Sequence, residues 1–293
     1  MNADIEVLRD ACVDGSTADR RRLAAAVGFA DAGVDEFGLW GELAVEEVTH
    51  RLRWVEPGTF LMGSPDNERG RFECEGPQHK VRLTRGFWLG ETPVAQVLWA
   101  AVMGSNPSQL QGPEHPIEWV NWHDCSGFCR ALEALCPGLM ARLPTEAEWE
   151  YACRAGASTP TYGPVDEVAW YASNSGRRSR PVAQLRANSW GLYDTLGNVW
   201  EWCQDAVRKL APYSGAPRLD PVMTAGDERV CRGGSWGYDA RYLRAASRLA
   251  NPPGIRSADL GFRLAGGPTP NGARPEAEPT SRERSSAGQT EAP

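Results

Sequence analysis

The spacing of apolar residues predicts two short helices at the start of the chain. Apolar residues fall on one helical face in each of two stretches, namely Ile5, Leu8 and Cys12, then Leu23, Val27 and Ala30. Asp19 suits the N-cap of the second helix, and Gly33 suits its end. Residues 1–35 are therefore predicted to form a short helical N-terminal segment.

The body of the chain, residues 36–265, combines strands, helices and long irregular stretches. Alternation of apolar and polar residues predicts strands at 50–55 and 59–63, and an apolar stripe predicts a helix over 121–135. Thr145, followed three residues later by Glu148, forms the capping box of another helix. Beyond residue 155 the sequence is rich in Gly, Asn and Trp without periodicity, which is typical of functional loops or loops held by an ion.

The final stretch, residues 266–293, differs from the body in composition. It contains no aromatic and no large aliphatic residue. Such a segment cannot bury enough apolar surface to offset the entropy lost on ordering. We therefore expect residues 266–293 to be a disordered tail.

Charge and composition exclude several classes of function. The 31 Lys and Arg against 38 Asp and Glu give a net charge of −7, which argues against a nucleic-acid-binding protein. No apolar run reaches the ~18 residues of a membrane helix, and the first residues lack a secretory pattern. We expect a cytoplasmic protein without a membrane partner, whose 8 cysteines are reduced thiols.

Seven motifs in order along the body carry a family resemblance. They are FLMGS at 60–64, GPQH at 76–79, RLPTEAEWEYA at 142–152, GLYD at 191–194, GNVWEW at 197–202, RGGSW at 232–236 and LGFR at 260–263. Together they resemble the formylglycine-generating-enzyme, or sulfatase-modifying-factor, family. The resemblance implies an α+β, formylglycine-generating-enzyme-like fold, which is related to the C-type lectins and is loop-rich with little regular secondary structure.

The oxidases of this family bind Cu(I) through two cysteines that follow the Gly-Gly-Ser-aromatic motif. The matching stretch of this chain, residues 233–244, contains no cysteine, and Cys231 precedes it. Soft thiolate ligands are what Cu(I) requires. The resemblance therefore implies a chain without the copper site, and no copper is expected.

A second branch of the family consists of iron-dependent sulfoxide synthases, which need three histidine ligands. Two of these ligands come from an N-terminal helical domain. The chain has only His50, His79, His115 and His123, and none lies in residues 1–35. His79 is expected to hold a loop by hydrogen bonding, and no iron is expected.

A third branch keeps the scaffold without the catalytic site and includes the variable proteins of diversity-generating retroelements. Residues 237–259 contain no Lys, Glu, Gln, Met or Trp, which fits adenine-directed diversification but also ordinary family preference. The segment 236–259 is rich in residue types that carry binding energy. The predicted contacts to a protein, peptide or glycan ligand are Ser235, Trp236, Tyr238, Asp239, Arg241, Tyr242, Arg244, Arg248 and Asn251.

The resemblance also implies calcium, which takes oxygen ligands from carboxylates and carbonyls. Carried over by position, the first site uses Asp194, Gly197, Val199 and Glu201, unless Glu201 pairs with Arg263 instead. A second site would begin at Asn174 and Ser175, but arginines stand where its acidic ligand is expected.

The sequence therefore favours a non-catalytic recognition module on a calcium-stabilised scaffold. The alternative is a metal-dependent oxidoreductase of the same superfamily with an unrecognised metal arrangement. A further possibility is a subunit that docks to a partner protein through residues 1–35.

Overall fold

The computed structural model describes residues 17–268, with side chains from residue 22 onward. The helices are α1 (Thr17–Val27), α2 (Gln96–Met103), α3 (Trp122–Leu135), α4 (Glu146–Arg154) and α5 (Val165–Val168), with 3-10 turns at Glu73–Glu75, Pro137–Leu139 and Ala240–Tyr242. The strands are β1 (Asp31–Asp35), β2 (Gly38–Val45), β3 (Val48–Val55), β4 (Gly58–Met62), β5 (His79–Leu83), β6 (Phe87–Gly90), β7 (Ala169–Trp170), β8 (Leu196–Gly197), β9 (Trp200–Val207), β10 (Arg218–Leu219), β11 (Glu228–Arg232), β12 (Arg248–Asn251), β13 (Leu260–Phe262) and β14 (Ala265–Gly266). No described helix combines the length and the apolar character needed to span a bilayer.

The N-terminal segment differs from its prediction. Helix α1 begins before the expected cap at Asp19 and ends at Val27, and Ala30 is exposed. Gly33 lies within β1 opposite Trp40, and a Cβ atom there would come within 2.5 Å of the Trp40 ring. The continuation of the helix to Gly33 was therefore wrong, because pairing with β2 prevails over the local pattern. The predicted helix around Ile5, Leu8 and Cys12 lies outside the described residues.

The two largest sheets in the described part of the chain have five and four strands. An antiparallel sheet has the order β1-β2-β3-β6-β14, so the first and last described strands belong to one unit. Its last strand includes Gly266, the first residue of the predicted tail, while residues 269–293 lie outside the described part. A second sheet, in the order β12-β11-β9-β13, leads directly into the segment 236–259.

The predicted strands and helices of the body are confirmed. Strands β3 and β4 cover the two alternating segments, and α3 covers the apolar stripe, with Cys125, Phe128 and Leu132 fully buried. Thr145 accepts the backbone N–H of Glu148 at the start of α4, and the Glu148 side chain accepts that of Thr145.

Buried ion pairs tie the irregular stretches to the regular elements. Arg232 pairs with Glu150 on α4, Arg248 pairs with Glu146, and Arg142 pairs with Glu148, each with both partners almost inaccessible to solvent. A charge placed in such an interior needs a partner and further hydrogen bonds to be tolerated. These pairs explain how a loop-rich chain keeps one fixed arrangement.

Candidate ligand-binding surface

Two glycines connect β11 to the segment 236–259, and side-chain hydrogen bonds join the beginning of this segment to its end. Gly233 and Gly234 both have positive φ, and a Cβ atom on Gly233 would lie 3.0 Å from the Thr195 carbonyl oxygen. The Ser235 hydroxyl donates to Asp259 Oδ2 at 2.7 Å, and Trp236 Nε1 donates to the Ala258 carbonyl at 3.1 Å. The two ends of the segment are thereby held together.

An aromatic surface forms where this segment meets the loop around residue 72. We use this name for Phe72, Tyr238, Arg241 and Tyr242. The Tyr238 and Tyr242 rings meet edge to face with centroids 4.8 Å apart, and Phe72 lies 5.1 Å from Tyr242. The Arg241 guanidinium lies 3.9 Å from the centre of the Phe72 ring. Such a contact adds cation–π attraction and fixes the orientation of the arginine.

Buried Trp200 supports the aromatic surface from beneath. Its ring lies 5.4 Å from that of Tyr238 and edge to face with it. Arg241 Nε donates to the Gly70 carbonyl at 2.9 Å, and Asp239 accepts the Arg241 backbone N–H. Asp239 and Arg241 are exposed, while the two tyrosines are partly exposed. The surface is therefore preorganised and accessible.

Three of the predicted contact residues are buried, so these predictions were wrong. Ser235 is inaccessible and bonded to Asp259. Arg244 forms a bidentate pair with Glu75, and Arg248 forms one with Glu146. Their guanidinium groups are committed to the interior and cannot reach a ligand.

The remaining predicted residues lie at or near the surface. Trp236, Tyr238 and Tyr242 are partly exposed, and Asp239 and Arg241 are exposed. Asn251 lies on β12, half-buried, with its Nδ2 atom 3.8 Å from the Cys231 sulfur. Phe72 was not among the predicted contact residues: it lies 170 residues away from Tyr242 along the chain, and no local pattern connects the two.

The cysteine side chains of the interior are held as protonated thiols. Burial raises the pKa of Cys125, Cys203 and Cys231 well above the usual range, and raises that of Cys129 and Cys153 to about 12. The thiolate, not the thiol, is the form that binds metal. Within residues 17–268 no three His, Cys, Asp or Glu side chains are arranged to hold a metal ion. His79 Nδ1 bonds to the Pro77 carbonyl, as predicted for a residue that holds a loop.

The first calcium site contains a carboxylate that suits a cation. Asp194 is buried, and its Oδ2 accepts the Ala183 backbone N–H at 2.7 Å, while Oδ1 has only a 3.4 Å contact with Asn198 Nδ2. Burial raises the pKa of Asp194 to about 6. Because Asp194 Oδ1 is buried and has only this one weak hydrogen bond, it is suited to bind a cation.

Glu201 forms an ion pair with Arg263, which is the alternative to calcium binding that the sequence left open. Arg263 donates to both carboxylate oxygens at 2.8 and 3.0 Å, and Trp149 Nε1 donates to one of them at 2.7 Å. A carboxylate has about four acceptor positions, so one remains. The donor set therefore fits calcium only if Glu201 shares its carboxylate with Arg263.

The second calcium site does not fit. Asn174 Oδ1 accepts the Tyr171 backbone N–H, and the Ser175 carbonyl accepts Arg180 Nε at 2.7 Å. The Arg180 guanidinium also lies 5.4 Å from the centre of the Trp170 ring. Because a fixed cation holds the Ser175 carbonyl, a calcium ion there would be repelled, and the assignment of Asn174 and Ser175 as metal ligands was wrong.

Comparison with known proteins places this chain in a family. The profile of the Sulfatase-modifying factor enzyme 1-like domain matches residues 37–267. The Formylglycine-generating enzyme of Streptomyces coelicolor is 35% identical over 71% of this chain and 86% of its own length. That of Bos taurus is 33% identical over 61% of this chain, but only 50% of the bovine protein is covered.

A solved structure agrees with the sequence relatives. The Treponema denticola variable protein 1 superposes with a TM-score of 0.71 and 30% identity, over 78% of this chain and 98% of that one. The formylglycine-generating-enzyme-like fold expected from the seven motifs is thus confirmed. The chain belongs to the Sulfatase-modifying factor enzyme 1-like family.

Proposed function

We propose that this chain is a non-catalytic recognition module that presents the aromatic surface to a protein, peptide or glycan ligand. The observation that carries the proposal is the exposed Arg241, fixed on Phe72 beside the two tyrosines. Tyrosine and arginine dominate the binding energy of protein interfaces, and rigid side chains lose little entropy on binding. Similarity to a protein named for its variability supports a display function for this surface.

The state of the thiols supports a non-catalytic function. Cys231, the cysteine closest in sequence to Tyr238, has a pKa raised by burial and is fully enclosed. A copper-dependent oxidation would need thiolates that are accessible to the metal and to a substrate. The family scaffold is retained, while burial disfavours the thiolate form of the interior cysteines.

We further propose that calcium binds at the Asp194 turn, in the cytoplasm, and stabilises the scaffold beneath β9.

Docking through residues 1–35 stays a prediction, and the apolar face of α1 is not available for it. Leu23 and Val27 on that face are buried against the domain. A partner would have to contact other residues of this segment.

Metal content distinguishes the recognition module from an oxidoreductase. Reduced protein titrated with Ca²⁺, Cu(I) and Fe(II) is expected to retain calcium near one ion per chain, counted by elemental analysis. Asp194→Asn is expected to weaken calcium binding about tenfold or more because it removes a buried charged ligand. Asp66→Asn, at a carboxylate that is 91% exposed, serves as the matched control and is expected to change nothing.

The titration tests the non-catalytic function and the calcium site independently of each other. Stoichiometric, high-affinity copper or iron would contradict the non-catalytic function. A lack of saturable calcium binding would contradict only the ion site.

Ligand binding is tested with peptide and glycan arrays. Arg241→Ala is expected to weaken binding of a retained ligand about fivefold to thirtyfold, since fixed interface arginines contribute about 1–2 kcal/mol. Arg256→Ala removes an exposed arginine of the same segment that pairs with Asp124, and is expected to leave binding unchanged. Equal affinity of the Arg241→Ala protein and the wild type would show that the ligand binds elsewhere.

A further inference from the structure

A basic groove lies on a part of the protein that the proposed function does not use. The chain between β9 and β11 forms an open depression of about 620 Å³. Arg208, Lys209 and Arg218 line it, together with apolar side chains that include Leu219 and Met223, and none of its lining residues is acidic. A concentration of positive charge is unexpected in a chain whose net charge is −7.

The cations of the groove are exposed, and Arg218 also lines a small internal cavity together with the carboxylates of Glu146 and Asp205. Among the described residues, none of the three takes part in an ion pair. The carboxylate that follows Leu219 in sequence, that of Asp220, accepts the backbone N–H and the hydroxyl of Thr84 at 2.7 and 2.6 Å. The positive field of the groove therefore extends into solvent, where it attracts negative charge.

The outer face of the neighbouring sheet continues this surface. Sheet order is β10-β5-β4, and Leu219 lies in register with Arg82, which is exposed on the same face. Lys80 is exposed on β5 opposite Leu61. Leu61 and Leu219, on the two outer strands of this sheet, are 55% and 61% exposed. This outer face therefore presents Lys80 and Arg82 together with Leu61 and Leu219, which suits a partner that carries both carboxylates and apolar groups.

The groove is separate from the aromatic surface. Trp200, which supports the tyrosines, begins β9, and Val207 at the other end of β9 lines the groove. Eight extended residues span about 23 Å. A ligand on the aromatic surface therefore leaves the groove free, and one chain could hold two partners at the same time.

We propose that the basic groove docks an acidic, extended segment of a partner protein, with carboxylates on Arg208, Lys209 and Arg218 and an apolar side chain beside Leu219. Charge complementarity favours this occupant, because the residues that line the groove include three cations and no carboxylate. A nucleic acid fits less well, since none of the described lining residues is aromatic and bases would have nothing on which to stack.

The test uses a fluorescein-labelled decapeptide of glutamates with two leucines, and the same peptide with glutamine in place of glutamate. Fluorescence anisotropy with the full chain is expected to show saturable binding of the acidic peptide that weakens as salt is raised. The double variant Arg208→Glu with Lys209→Glu is expected to weaken binding about tenfold or more. Thr224→Trp, which fills the groove without changing charge, is expected to weaken it about fivefold.

A matched variant separates the groove from general electrostatics. Arg130→Glu with Arg178→Glu changes the net charge equally at exposed positions outside the groove, and is expected to bind the peptide as the wild type does. Equal losses in both double variants would overturn the proposal. Equal binding of the glutamine peptide, no saturable binding, or an oligonucleotide that binds in place of the peptide would also overturn it. Thermal unfolding of each variant verifies that it is folded.

Discussion

Replacement of Arg263 by methionine is expected to lower the free energy of unfolding by about 3–5 kcal/mol, because it leaves a carboxylate buried without its partner. Arg263 is fully buried and pairs through two hydrogen bonds with Glu201 on β9. Its remaining donors reach the carbonyl oxygens of Gly90, Glu91 and Tyr193 at 2.7–2.9 Å. One guanidinium thus joins β13, β9, β6 and the turn that contains Asp194.

The measurement is urea unfolding of the wild type and the variant at neutral pH. Arg51→Met is the matched control, since Arg51 forms a surface pair with Glu42 at 3.7 Å and is 37% exposed. Exposed pairs contribute about 0–1 kcal/mol. Arg263→Lys keeps the charge but loses the planar set of donors, so it is expected to recover only part of the loss. A loss for Arg263→Met no larger than for Arg51→Met would show that Glu201 is not held by this pair.

Local signals in the sequence were sufficient for the regular elements of the body. The capping box at Thr145 and Glu148, the stripe of α3 and the alternation in β3 each depend on residues a few positions apart. Strand β1 was missed for the opposite reason. Its sequence has weak alternation, and its pairing with β2 is what makes it a strand.

The interior arginines show why the candidate site was only partly predictable. Arg244 and Arg248 occur in a segment rich in Tyr, Arg and Ser, and nothing local distinguishes them from exposed Arg241. Their partners, Glu75 and Glu146, are 169 and 102 residues away along the chain. Long-range pairing therefore decides which arginines are available for a ligand, and sequence composition does not.

Asp205 is a buried carboxylate that connects the groove to helix α4. Its Oδ2 accepts the Glu146 backbone N–H at 2.7 Å, and its Oδ1 accepts the Met223 backbone N–H at 2.9 Å. Burial, together with the nearby Glu146 carboxylate, raises the pKa of Asp205 to about 7. The loop that lines the groove is thus attached through a group that changes its charge near neutral pH.

The free energy of unfolding is expected to fall as pH rises from about 4 to about 7. In this range the folded protein keeps the Asp205 proton, whereas the unfolded chain has lost it. The ordinary pKa of the group is 3.8, so the unfolded chain loses the proton near pH 4, and the folded protein loses it near pH 7. Between these values the folded state binds more protons, and the contribution of Asp205 declines by up to about 4 kcal/mol.

The variant Asp205→Asn removes the titration but keeps the shape of the side chain. Its single oxygen can accept only one of the two backbone N–H groups, which costs about 1–3 kcal/mol at every pH. The difference in unfolding free energy should therefore favour the wild type by about 1–3 kcal/mol near pH 4, shrink as pH rises, and favour the variant near pH 7. Asp220→Asn, at the partly buried carboxylate that holds the same loop to Thr84, measures how much stability is lost when this attachment of the loop is weakened. A wild-type advantage that stays constant from pH 4 to pH 7 would mean that Asp205 ionises as an ordinary surface carboxylate, and that burial does not control the attachment of the groove.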